Sequence, residues 1–163
     1  LDLENLTEKP RYLGLMKALQ SHLIGSAFEL NLHGIDELHV KHDSPLLEAC
    51  NTQLTERDVT AHAELNLVRS ASQRLDRDTL AACTVYASGE PCPMCAGALY
   101  WSGVGRVVFG LSIESMNMLG GPDADELLLH AADILASGMR PVEVIGPALE
   151  DEARRVFEEA PSR

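Results

Sequence analysis

His62, Glu64, Cys92 and Cys95 are the residues whose types and spacing could do chemistry together. His62-Ala63-Glu64 supplies an imidazole and a carboxylate, and Pro91-Cys92-Pro93-Met94-Cys95 supplies two thiols. One nitrogen and two sulfurs make three ligands for zinc and leave the fourth tetrahedral position open, as in catalytic zinc sites. Zinc in such a site lowers the pKa of a bound water toward about 7 and so provides hydroxide at neutral pH. Glu64 is two residues from His62, so on a regular helix the two side chains point in different directions. That suits different jobs: His62 as a metal ligand and Glu64 as a proton carrier beside the open position. Acid–base help of that kind is typically worth about 10²–10⁴-fold in rate.

Each half of this pattern has a plainer reading. A lone C-x-x-C also serves structural zinc or redox chemistry, and a lone His-Ala-Glu on a helix carries almost no information. A structural zinc site wants four ligands, and the chain holds no second C-x-x-C and no C-x-x-H. A redox pair has no need of His-x-Glu upstream. Together, with prolines at 91 and 93, the residues favour catalytic zinc.

The elements that must position these groups follow from periodicity. Leu13, Met16, Leu19 and Leu23 recur at helical spacing, and residues 27–32 alternate like a strand, with Leu38–Val40 a possible second one. Leu65, Val68, Ala71 and Leu75 predict a helix from about His62, with Asp58 or Thr60 as its N-cap. Residues 83–88 read as a strand, and Pro93 suits the first turn of a helix running to about Trp101. The helix start favours thiolate at Cys92 and Cys95, which share one face at i and i+3. Residues 106–110 and 142–145 read as strands, and 126–136 and 149–159 as helices. Strands alternating with helices imply an α/β sheet, with a parallel crossover between residues 106 and 145.

The 163 residues fit one domain, residues 1–163, and the hydrophobic fraction of 45% is enough for a sizeable core. No apolar run approaches a membrane span of about 20 residues, so a cytoplasmic protein is expected. Of the four cysteines, Cys83 lies in an apolar run and reads as core, and Cys50 as core or neutral filler. The remaining histidines have no ligand spacing with the cysteines and read as surface or satisfied polar groups. Formal net charge is −12. Residues 61–110 balance four acids (Glu64, Asp76, Asp78, Glu90) against four arginines (Arg69, Arg74, Arg77, Arg106). A polynucleotide binder gains most of its affinity from phosphate contacts by basic groups, and no basic stripe is visible. A small substrate is expected, with no nucleic acid and no membrane as partner.

The pattern H-x-E…P-C-x-x-C is also the signature of zinc nucleobase deaminases. Residues 51 to about 110 resemble the cytidine-deaminase-like superfamily, in the branch of guanine, fungal-type cytosine and tRNA adenosine deaminases. The likeness is carried by Asn51, by Asp58 to Glu64, by Ser88-Gly89-Glu90-Pro91-Cys92-Pro93-Met94-Cys95-Ala96-Gly97-Ala98 and by Gly105 to Gly110. It implies a three-layer α/β/α fold with a central mixed sheet of about five strands, usually assembled as a homodimer. It implies zinc as cofactor on His62, Cys92 and Cys95, with Glu64 catalytic. It also implies Asn51, Ala63 and Trp101 as contacts to the base. Tyr100-Trp101 resembles guanine deaminases more than tRNA deaminases, although both rings could equally pack in the core. Residues 24–40 depart from the family's Gly-rich first strand. The expected activity is hydrolytic deamination of a small purine base or nucleoside, guanine-type first, with cytosine-type or tRNA adenosine deamination as alternatives. A zinc-stabilised binding module without turnover is the alternative of another class, and Glu64 speaks against it.

Overall fold

A computed structural model describes residues 28–32, 46–122, 127–148 and 150–158. The expected helix at 11–23 and strand at 38–40 lie outside these. Five strands form one sheet among the described residues: β1 (Phe28–Leu32), β2 (Leu47–Ala49), β3 (Cys83–Gly89), β4 (Arg106–Leu111) and β5 (Glu143–Ile145). Their order is β2-β1-β3-β4-β5. The β2–β1 and β1–β3 pairs are antiparallel, and β3–β4 and β4–β5 are parallel, with Val85 opposite Val107 and Val108 opposite Ile145. The sheet is therefore mixed, and the parallel step between β4 and β5 is as expected.

Seven helices fill the connections among the described residues: α1 (Gln53–Glu56), α2 (Ala63–Arg74), α3 (Arg77–Ala81), α4 (Pro93–Ser102), α5 (Ile113–Gly120), α6 (Ala131–Ala136) and α7 (Glu150–Glu158). β3 is buried along its whole length, as a strand covered on both faces must be. Val85, Ala87, Val107 and Phe109 pack with Leu67 of α2, Leu99 of α4 and Leu135 of α6 in one apolar cluster. α2 contacts α4, α4 contacts α6, and α7 lies against β4, where Ala153 is buried outside that cluster.

Several local expectations change. The N-cap of α2 is His62, not Asp58 or Thr60. Asp58 Oδ1 instead accepts from the backbone N–H and hydroxyl of Thr60, at 2.8 and 2.7 Å, and closes the turn before the helix. The buried stripe of α2 runs through Ala63, Glu64, Leu67 and Ala71, so Leu65 is not on the core face. The helix expected from 126 begins at Ala131, because a buried carboxylate from another segment takes the Ala131 N–H, and Leu127–Leu129 are exposed coil. Cys50 is exposed rather than core, whereas Cys83 is buried. The short helices α1, α3 and α5 escape periodicity; α3 and α5 start at side-chain caps, Asp76 accepting from Thr79 N–H and Ser112 from Ser115 N–H.

Candidate metal centre

Two helix starts build the site. His62 is the N-cap of α2 and Cys92 the N-cap of α4, and α2 and α4 pack together. Neither side chain makes a capping hydrogen bond, and the two side chains approach each other. Cys95 is the third residue of α4. The spacing from N-cap to third helical position is the one at which a capping box brings two side chains together, and here it brings two thiols together. Pro93 fixes the first helical position, where its missing N–H has no partner to lose. Gly103, at φ 96°, ends α4 in the left-handed region where glycine carries no penalty.

The ligand atoms of His62, Cys92 and Cys95 all lie within 4.8 Å of one another. Cys92 Sγ is 3.7 Å from His62 Nδ1. Zinc bound tetrahedrally at about 2.3 Å to sulfur and about 2.0 Å to nitrogen would separate the two atoms by about 3.6 Å. The donor set and its spacing therefore fit zinc.

The protonation states fit as well. The Cys95 thiol donates to Cys92 and holds the Cys92 thiol down at about 4, helped by His62 and opposed by burial. The same interaction and burial raise Cys95 far above the ordinary thiol value. A divalent cation bound here would hold both sulfurs as thiolates. Glu64 is 6% exposed. Burial pushes its carboxyl up to about 7 and the Cys92 charge adds to this, while its own backbone N–H, Cys95 and His62 pull the other way. A carboxyl balanced near neutrality can both accept and return a proton at physiological pH.

Ala63, buried between His62 and Glu64, opens α2. First-turn N–H groups have no partner within a helix, so its amide is available to a ligand. Asn51 is held beside this point, because the Thr52 N–H donates to the Ala61 carbonyl at 2.9 Å. Asn66 on α2 grips both sides of Asn51. Its Nδ2 donates to the Cys50 carbonyl and to Thr52 Oγ1, both at 2.9 Å. Trp101 is not brought to the trio. It lies nearly two turns beyond Cys95, roughly 9 Å along the axis of α4, on a different side of the helix. Its ring is 80% exposed, so it does not pack in the core either. Tyr100 is the one of the two that packs there, edge-on to Trp101 and beneath the Arg140 guanidinium.

Glu90 is a residue whose part the sequence did not suggest. It is 3% exposed, two residues before Cys92. Its carboxylate accepts from the Ile113 N–H at 3.1 Å, the Ala131 N–H at 2.9 Å and His130 Nδ1 at 3.2 Å. One side chain so caps α5 and α6 and fastens both to the loop that carries Cys92. His130 also approaches Glu114 at 3.2 Å, so it is a satisfied polar histidine. The atoms of Glu90, Glu114 and His130 are close enough to hold a cation, but the two backbone amides already account for the burial of Glu90. Gly89 completes the loop's seat, since a Cβ there would collide with the Met116 thioether of α5.

Residues 38–111 match the family described as the cytidine and deoxycytidylate deaminase zinc-binding region. A probable cytosine deaminase of Schizosaccharomyces pombe is 40% identical over 115 residues, covering 69% of this chain and 69% of that protein. A tRNA-specific adenosine deaminase of Bacillus subtilis is 43% identical over 98 residues, covering 56% of this chain and 58% of that protein. A solved structure of a guanine deaminase from Nitrosomonas europaea superposes with a TM-score of 0.63 at 26% identity, covering 91% of this chain and 79% of that one. The chain belongs to the cytidine and deoxycytidylate deaminase family and is a zinc-dependent aminohydrolase.

Proposed function

We propose that this enzyme deaminates a small purine base or nucleoside, guanine-type first, with His62, Cys92 and Cys95 as its zinc ligands and Glu64 as its proton carrier. The observation that supports this most is the buried Glu64 beside three ligand atoms that lie within 4.8 Å of one another. Zinc held by His62, Cys92 and Cys95 would supply an acidified water. Glu64 carries two protons in turn from the attacking water, the first to a ring nitrogen and the second to the leaving amine. The carbon exchanges its amino group for oxygen, so one water is consumed and one ammonia released. The Ala63 amide and the Asn51 side chain orient the base, and burial excludes bulk water.

Charge supports a small substrate. The net charge is −12, and the segment carrying the site balances four acids against four arginines. A tRNA substrate would demand phosphate contacts that such a surface lacks. The likeness to a guanine deaminase along most of the chain supports the guanine-type reading, and the 40% identity to a probable cytosine deaminase makes cytosine its alternative. In this reading residues 1–163 form one deaminase domain, and the need for two thiolates favours a reducing, cytoplasmic setting. The test is ammonia release from guanine, guanosine, cytosine and adenine, and inosine formation in deacylated tRNA, at low and moderate salt. Guanine or guanosine is expected to react, with little dependence on salt. Inosine in tRNA with every small substrate inert would overturn the reading, and activity on cytosine alone would move it to the pyrimidine.

A homodimer belongs to the same reading, and α4 supports it. No residue of Pro93–Ser102 is charged. A helix that is apolar all round is ordinarily covered all round. Here Cys95, Ala96 and Leu99 face the core, while Met94 and Trp101 are 38% and 80% exposed on the outside. Sedimentation should give a dimer that Trp101→Glu converts to monomer; a monomeric native enzyme would remove this part.

A further inference from the structure

Two side-chain amides at the start of α1, those of Asn51 just before it and of Gln53 as its first residue, are oriented by backbone groups. The Gln53 N–H donates to Asn51 Oδ1 at 2.9 Å. A backbone N–H can only donate, so the Asn51 atom that meets it is the oxygen. At the other end, Gln53 Nε2 donates to the Val59 carbonyl at 3.1 Å. A carbonyl can only accept, so that Gln53 atom is the nitrogen, and the other is Oε1. Oε1 is the acceptor for Asn51 Nδ2, at 2.7 Å. The two amides form a chain that runs from the Val59 carbonyl to the Gln53 N–H, with every donor facing an acceptor.

We propose that Gln53 is a positioning residue for base selection, acting by fixing the orientation of the Asn51 amide. The inference rests on the reading that Asn51 touches the base. Asn66 bonds to the Cys50 carbonyl and the Thr52 hydroxyl on either side of Asn51, and the Thr52 N–H is tied to the Ala61 carbonyl. With the backbone held, the freedom left to Asn51 is mainly a flip of its amide. Flipping would set its oxygen against Gln53 Oε1 and its nitrogen against the Gln53 N–H, two contacts without a bond. In the fixed orientation Oδ1 keeps one lone pair and Nδ2 one hydrogen. These offer an acceptor and a donor, in one set order, to the edge of an amino-heterocycle. A base whose edge carries the opposite order meets like against like at both positions.

The test is a double-mutant cycle on the zinc-loaded enzyme, with guanine and cytosine each as probe and ammonia release as readout. Gln53→Met removes both side-chain hydrogen bonds and keeps the length. Loss of one oriented contact should raise KM about 3- to 10-fold on the base that reacts, with kcat and zinc content nearly unchanged. In an Asn51→Ala background Gln53→Met should do nothing further, because its target is gone. Gln53→Glu keeps an acceptor facing Asn51 but sets an oxygen against the Val59 carbonyl, so its KM should fall between the native value and that of Gln53→Met, and it serves if the Met variant does not fold. An unchanged KM in Asn51→Ala on both bases would remove the reading underneath. A raised KM in Asn51→Ala with none in Gln53→Met would overturn the positioning role alone. Additive effects of the two substitutions would also overturn it, since Gln53 would then act through the fold.

Discussion

His62 and Cys92, proposed as ligands, sit where a helix is ordinarily capped by Ser, Thr, Asp or Asn, and neither makes a capping bond. Giving up a cap costs typically about 1 kcal/mol. A bound metal offsets this by far more, since structural zinc contributes roughly 10–16 kcal/mol of apparent free energy in small domains. The expected consequence concerns Cys92. Cys92→Ser should leave a folded chain whose zinc content, measured on the purified protein, drops sharply from one per chain. Full occupancy in that variant would take Cys92 out of the ligand set. At this scale the grouping was legible in the sequence: types and spacing pointed to His62, Cys92 and Cys95, and the structure brings their ligand atoms within 4.8 Å of one another. The caps were not: preference pointed to Asp58 and Thr60, and the positions were taken instead by residues with another task.

Among the elements, contacts between segments far apart in sequence decide what periodicity cannot. Glu90 ends the coil before α6 by accepting the Ala131 N–H, 41 residues away, so the helical pattern from 126 begins late. The Gln53 lock depends on the Val59 carbonyl returning to the start of the same loop. The central strands β3 and β4 were legible, because a strand buried on both faces is a continuous apolar run. A further long-range tie holds α7. Glu150 Oε1 accepts from the hydroxyls of Ser112 and Ser115, both at 2.6 Å, and Arg154 reaches Ser115 at 2.9 Å. The bonds from Ser112 and Ser115 hold the Glu150 carboxyl below its ordinary value of 4.5, with burial opposing and Arg154 helping. A carboxyl lowered in the folded state stabilises the fold above its unfolded pKa and loses that contribution as pH falls through the folded one. Glu150→Gln should therefore melt below the native enzyme at pH 7, and the two melting temperatures should converge as pH falls below the ordinary carboxyl value of 4.5. A constant difference from pH 7 to pH 3 would show that ionisation of Glu150 contributes nothing.

At the scale of the whole molecule, one sheet carries two adjoining helix starts, and the side chains of His62, Cys92 and Cys95 meet there. No described helix is long and apolar enough to cross a membrane. The acidic surface and the balanced site divide the labour between solubility and chemistry. Both rest on a single claim, that a zinc-ligand trio and a buried carboxylate act as one deaminating unit. The measurement that reaches it most directly compares native enzyme with Glu64→Gln, each assayed for bound zinc and for ammonia release from the preferred base. One zinc per chain in both, with turnover of the variant lowered by at least about 10²-fold, is the predicted result. Zinc retained in both with turnover near the native rate would contradict it, because the proton would then be carried by another group.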